Sequence, residues 1–179
     1  MSIGIALYHP ELTAPGDYLD RSDAALSVAK QEGRNTYRFH TETLDDLFRT
    51  EVAIGTDLHH ALDDEELTIQ YQPQIDLRTN RVVGLEALAR WSHHRRGQVT
   101  PSEFIRVAER TNLIVPLGIS VLRQACLQAR IWLDQGLLPD VMAINLSPLQ
   151  FKDQQLVADV RGALGESGVP PERIELEIT

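Results

Sequence analysis

The sequence predicts an α/β protein built from parallel βαβ units. Three observations carry that prediction. β-prone runs such as "LTIQYQPQIDL", "VMAINLS" and "IELEIT" alternate with stretches of helical spacing. The helices have readable ends, with Thr100, Pro101 and Glu103 opening one and Gly136 closing another. The composition, 42% apolar and 24% charged, is that of a soluble globular chain rather than a disordered one.

Taken in order, "SIGIALY" is a short strand closed by Pro10 and the turn-forming "TAPGD". "DYLDRSDAALSVAKQEGRN" reads as a helix with Leu19, Ala25 and Leu26 among its apolar residues and Gly33 as its stop. "TYRFH" is a short strand with aromatics at alternate positions. Residues 1–40 therefore look like the end of a domain whose beginning lies elsewhere. Residues 41–57 read as a helical linker anchored by Leu44, Leu47 and Phe48, with Leu58 and Leu62 continuing the stripe. Gly55 and Thr56 are expected to interrupt it and Asp57 to cap a second helix.

From residue 58 to 179 the β/α alternation takes over. "RTNR" is a turn between the strands "LTIQYQPQIDL" and "VVGLEALARW". Two helices follow, the second carrying Leu122, Cys126, Ala129 and Leu133 at helical spacing. After "VMAINLS", Ser147-Pro148 is expected to start one helix bearing Leu156, Val160 and Leu164, and "GVPPER" turns into the last strand.

Charge and cysteine usage narrow the function classes. Lys and Arg number 17 against 26 Asp and Glu, a net charge of −9, which argues against a binder of nucleic-acid polymers. No apolar run reaches the ~20 residues that cross a bilayer, and the N-terminal stretch is a poor secretory signal. Cys126 is the only cysteine, so there is neither an intramolecular disulfide nor a multi-cysteine metal site. A cytoplasmic location without membrane contact is expected for this segment.

The chemistry-bearing residues sit near strand ends. Strand side chains alternate faces, so Glu86, Leu88 and Arg90 share one face of "VVGLEALARW". Asn145 lies opposite Met142, Ile144 and Leu146, and Glu175 and Glu177 lie opposite Ile174, Leu176 and Ile178. Glu86, Asn145 and Glu177 are thus hard oxygen donors near the C-terminal ends of three strands, where β/α barrels place their active sites. Two carboxylates and an amide suit Mg²⁺, Mn²⁺ or Ca²⁺. The plainer alternative is solvated or capping residues, with Glu86 and Arg90 as polar trim on an edge strand. Glu86 and Arg90 stand ~13 Å apart along the strand, which suits two separate tasks better than a salt bridge.

The motifs "YQPQIDL", "GLEALARW", "TPSEFIRVAE", "MAINLSPLQF" and "IELEIT", in this order and spacing, strongly resemble the EAL domain family of bacterial cyclic di-GMP phosphodiesterases. "SIGIALY" and "SDAALSVAKQEGRNTYRF" resemble the tail of a GGDEF domain, the diguanylate cyclase module. The resemblance implies the first half of an EAL-type (β/α)8 barrel, preceded by an α+β GGDEF remnant. It implies hydrolysis of cyclic di-GMP to linear pGpG with two divalent metals, Mg²⁺ or Mn²⁺. By position, Glu86, Asn145 and Glu177 match metal ligands, and Arg90 matches the arginine that contacts a ligand phosphate. Gln72 and Leu88 match positions lining the substrate pocket. A homodimer is implied for the complete protein.

The chain also departs from the family pattern. It ends at Thr179, before the second acid of the family's E-x-T-E motif, and the later Asp-Asp pair, lysine and glutamates are absent. A fragment cut at both ends and inactive alone is the expectation. The main alternative is a catalytically inactive receptor or scaffold for cyclic di-GMP. Lys30 and Arg34, four apart and on one helix face, match nucleotide-phosphate positions of the GGDEF family but are expected to be solvated. Ser27 stands where that family often has Tyr. His59-His60 and His93-His94 are expected at the surface, "HHRR" in a loop, and Cys126 in the core.

Overall fold

A computed structural model of the chain describes residues 1–10, 14–31, 33–64 and 66–178, with the side chains of residues 31 and 42–49 outside the description. Two compact units emerge, Met1–Ala53 and Ile54–Thr179. In the first, strand β1 (Ile3–Ile5), helix α1 (Pro15–Gln31) and strand β2 (Tyr37–Phe39) form a βαβ unit, the strands parallel with Ile3 opposite Tyr37. Gly4 is required for this packing, since a Cβ there would lie 2.0 Å from the Ser22 carbonyl and 2.3 Å from the Leu26 nitrogen. The helix ends at Gln31, and Gly33 takes the left-handed conformation that stops it, with φ of 98°. Arg34 follows with φ of 61°, so it does not share a helix face with Lys30, contrary to the sequence expectation.

Helix α2 (Glu42–Asp63) runs unbroken through Gly55 and Thr56, where a break is expected from sequence. Gly55 instead lies within the helix. A Cβ there would stand 3.4 Å from both Thr111 Cγ2 and Val107 Cγ1, so the helix packs closely on these side chains without a break in its backbone. Leu58 is fully buried, whereas the side chains of Leu44, Leu47 and Phe48 lie outside the described residues.

The second unit carries a sheet in the order β3 (Leu67–Asp76), β4 (Arg81–His93), β6 (Val141–Leu146), β7 (Ile174–Ile178), with β5 (Gly97–Val99) paired to β4. The strands β4, β6 and β7 are parallel. β3 is antiparallel to β4, so the sheet is mixed rather than wholly parallel. The short connection dictates this, because parallel neighbours need a crossover of a dozen or more residues. Asp76 Oδ1 builds the turn by accepting from the Arg78 and Thr79 nitrogens at 2.7 and 3.3 Å, and those bonds hold its carboxyl below the usual carboxylate range. Register shifts between Gln74 and Ile75, which face Gly84 and Val82 and leave Val83 bulged.

Helices α3 (Pro101–Arg110) and α4 (Ile114–Asp134) make the crossover from β4 to β6. Glu103 caps α3 by accepting from the Thr100 nitrogen at 3.3 Å and its hydroxyl at 2.7 Å. The single helix expected after Ser147 is two: α5 (Pro148–Phe151) and α6 (Leu156–Ser167). Asp153 explains the break, because its Oδ1 takes the Gln155 nitrogen at 2.9 Å and competes with continued helix.

Alternation sorts the sheet into two faces. Ala87, Met142 and Ile144 pack against Leu122, Ala125, Cys126 and Ala129 of α4 and Ala163 of α6. A second cluster joins Ile54, Leu58 and Ala61 of α2 to Trp91, Phe104 and Val107. Leu176 and Ile178 of β7 remain 37% and 56% exposed, so that strand's apolar face is covered only around Ile174. No helix among the described residues is long and apolar enough to cross a membrane.

Candidate metal and phosphate site

The face turned away from the helices collects the polar residues. Register sets Glu86 beside Ala143 and Asn145 beside Glu177 on three neighbouring parallel strands. Asn145 Nδ2 donates to Glu86 Oε1 at 2.6 Å, and Gln74 Nε2 donates to Glu177 Oε1 at 3.4 Å. Gln74 can lie there because it passes over Gly84, where a Cβ would stand 2.5 Å from Gln74 Oε1. All three oxygen donors are half-buried. Among the described residues no group of three His, Cys, Asp or Glu side chains could hold a metal, so the candidate donor set is two carboxylates and an amide. Hard oxygen donors of this kind fit a hard divalent cation such as Mg²⁺, Mn²⁺ or Ca²⁺ rather than a soft metal.

Arg90 does not pair with Glu86. Its Nε donates to Gln70 Oε1 at 2.9 Å and its Nη1 to the Ala89 carbonyl at 2.9 Å. Among the described residues Nη2 has no hydrogen-bond partner, which leaves it able to make a charge-assisted contact. A cavity of about 200 Å³ joins Arg90, Leu88 and Asn145 with Glu109, Ser147 and Gln150. Glu86, Glu177 and Gln72 do not line it, and Gln72 is exposed opposite Glu86 in the β3–β4 register. Five of the six residues singled out from sequence thus fall into a carboxylate–amide cluster and an adjoining cavity, with Asn145 common to both, whereas Gln72 belongs to neither.

Comparison with known proteins decides the family. The EAL domain model matches residues 56–179. The chain belongs to the EAL domain family. That family is metal-dependent. A bifunctional diguanylate cyclase/cyclic di-GMP phosphodiesterase, MucR of Pseudomonas aeruginosa, is 39% identical over 99% of this chain. The uncharacterized protein y4lL of Sinorhizobium fredii is 42% identical over 99% of it. The chain spans only 26% and 21% of the length of those two relatives. Among solved structures, the PaMucR phosphodiesterase in complex with c-di-GMP matches 69% of this chain and 50% of its own, with a TM-score of 0.66 and 41% identity. The Vibrio cholerae LapD S helix-GGDEF-EAL structure matches 99% of this chain and 41% of its own at 18% identity and a TM-score of 0.62, a likeness of fold.

The EAL domain holds polar residues that sequence reasoning missed. His93, expected at the surface in a loop, ends β4 and is 4% exposed. Its Nδ1 accepts from the Arg95 and Arg96 nitrogens at 3.0 and 3.1 Å, which places the ring proton on Nε2. Nε2 lies 3.0 Å from Asp57 Oδ2 but off the line of a hydrogen bond, so this is a close polar contact rather than a directed bond. Asp57 therefore serves the end of β4 rather than a helix cap. His94 is exposed as expected and stacks on His93 with ring centroids 4.7 Å apart. Glu66 ties the same corner together: Trp91 Nε1 and His94 Nδ1 meet its carboxylate at 3.0 and 2.9 Å and lower its pKa. The alternating glutamines of "QYQPQ" signal Gln70 and Gln74 on the polar face, whereas Glu109 has no local signal in the sequence.

Proposed function

We propose that this chain is part of an EAL-type cyclic di-GMP phosphodiesterase that hydrolyses the dinucleotide to linear pGpG. The observation that carries it is the meeting of Glu86 and Asn145 at 2.6 Å on neighbouring parallel strands, with Glu177 in register beside Asn145. The 41% identity to the PaMucR phosphodiesterase, whose structure contains c-di-GMP, supports the substrate. In this proposal Glu86, Asn145 and Glu177 hold divalent cations, Mg²⁺ or Mn²⁺. Such cations, when bound, lower the pKa of a coordinated water and stabilise charge on the phosphoryl oxygens. Asn145 fixes the Glu86 carboxylate through Nδ2 and keeps Oδ1 available. Arg90 is held by Gln70 with Nη2 directed to a substrate phosphate, and Leu88 and Gln72 line the substrate path. Residues 1–40 are proposed as the tail of a GGDEF domain, 41–57 as linker and 58–179 as the EAL portion, in a cytoplasmic protein that dimerises.

The test is conversion of cyclic di-GMP to pGpG with Mg²⁺ or Mn²⁺ by the full-length protein that contains this chain, as parent and as Glu86→Ala. Loss of turnover in the variant supports the assignment, and unchanged turnover overturns the metal-ligand role. Tight binding of the dinucleotide with no turnover in the parent supports a receptor instead.

A further inference from the structure

We infer that Glu109 and Ser147 are positioning residues that set the place of Asn145; the inference rests on the proposed role of Asn145 as a metal ligand. Ser147 follows the end of β6, two residues after Asn145, and every polar atom of this buried serine is engaged. Its nitrogen donates to Gln150 Oε1 at 3.1 Å, and its carbonyl accepts from the Phe151 nitrogen at 3.1 Å. Its Oγ accepts from the Leu149 nitrogen at 3.2 Å and donates to Glu109 Oε1 at 2.7 Å. The last is a charge-assisted bond that reaches from α3 to the end of the strand.

Gln150 removes the remaining freedom. It is buried, and it presses on α4 where a Cβ at Gly118 would lie 1.8 Å from its Nε2. The end of β6 is therefore clamped by α3 through Glu109 and by α4 through Gln150. From the other side Glu86 Oε1 accepts the Asn145 amide hydrogen at 2.6 Å. An amide ligand without a clamp could follow its strand end away from Glu86. Partners one shell out from a metal ligand commonly change metal affinity by about 10–100-fold when removed. Glu109, Ser147 and Asn145 line the same cavity, so a shift at the clamp reaches the ligand directly.

The experiment compares Glu109→Leu, Ser147→Ala and Glu109→Gln with the parent chain. Three quantities are read: Mn²⁺ affinity from the electron paramagnetic resonance of free Mn²⁺, the side-chain amide resonances of Asn145, and Tm. Glu109→Leu and Ser147→Ala are expected to weaken Mn²⁺ about tenfold and to move the Asn145 amide. Glu109→Gln keeps an oxygen for Ser147 and is expected to restore both to about the parent level. A lowered Tm with Mn²⁺ affinity and the Asn145 amide unchanged overturns the inference, because it leaves Glu109 a stabilising role only. Should the parent bind no Mn²⁺, the metal reading fails separately, and the Asn145 amide decides: moved in Glu109→Leu, it supports the clamp, and unmoved, it overturns it. Ser147→Ala removes a single oxygen and carries the test if Glu109→Leu does not fold.

Discussion

Asn145 gives its Nδ2 hydrogen to Glu86 Oε1 across 2.6 Å, joining two neighbouring parallel strands on the face away from the helices. A bond this short to a carboxylate holds the amide in one orientation. Asn145→Asp replaces the donor by a second carboxylate at the same place, and like charges at that distance disfavour two ionised groups. The variant is expected to lose about 1–3 kcal/mol in metal-free buffer. In a chain of this size that lowers Tm by about 2–4 °C per kcal/mol. Mn²⁺ is expected to recover more of the loss than it adds to the parent. Thermal unfolding with and without Mn²⁺ reads both numbers, and an unchanged metal-free Tm removes the bond from the solution structure.

Two glycines separate backbone need from side-chain convenience. At Gly4 a new Cβ would strike the backbone of α1 at 2.0 and 2.3 Å, with no flexible group to give way. At Gly84 it would meet the end of Gln74 at 2.5 Å, which can swing aside. It would also stand 3.3 Å from Val141 Cγ2 and 3.4 Å from the Val141 carbonyl, which need give only a few tenths of an ångström. Gly4→Ala is expected to abolish the native packing of β1 on α1, seen as loss of slow hydrogen exchange in residues 3–5. Gly84→Ala is expected to keep the sheet but release Gln74 from Glu177, with a cost of about 1 kcal/mol at most in urea unfolding.

The sheet face was legible because strand periodicity is local and unforgiving: one residue of slip moves Glu86 to the opposite face. Asn145 and Glu177 follow from the same rule. The capping pattern at Thr100 was equally readable, since its partner Glu103 is three residues away. What the sequence hid is contact made at a distance. Gly55 looks like a helix breaker until Val107 and Thr111 are seen against it. His93 looks like surface bait until the turn behind it supplies two N–H donors. Glu109 meets Ser147 across 38 positions of chain, a pairing no window of neighbouring residues contains.

His93 yields a sharp test of that hidden corner. Replacing it with Leu keeps the apolar bulk but strips the acceptor from the Arg95 and Arg96 nitrogens. Both bonds are part-buried at exposed residues, where each is worth about 0.5–1.5 kcal/mol, so a loss of about 1–3 kcal/mol is expected for the pair. His94→Ala, at an exposed side chain, is expected to change stability by less than about 1 kcal/mol. Equal effects in the two variants, measured by urea unfolding, contradict the assigned bonds.

Cys126 links burial to pH. The thiol is packed against the sheet by α4, and burial raises its pKa from 9.0 to about 11. In the unfolded chain the thiol loses its proton above pH 9.0, while the folded chain keeps it until about 11. Between those values the native state binds more protons, so stability falls as pH rises. The contribution is complete below pH 9.0 and is lost as pH climbs through about 11. Tyr71, whose hydroxyl burial pushes to about 12, adds a loss of the same sign at still higher pH. Cys126→Ala is expected to flatten the fall in stability between pH 9 and 11 relative to the parent, in urea titrations at matched ionic strength. A thiol reagent at pH 8 is expected to modify the parent only at the rate at which it unfolds, since both burial and the raised pKa withhold the thiolate. Rapid modification without unfolding contradicts the packing of α4 on the sheet.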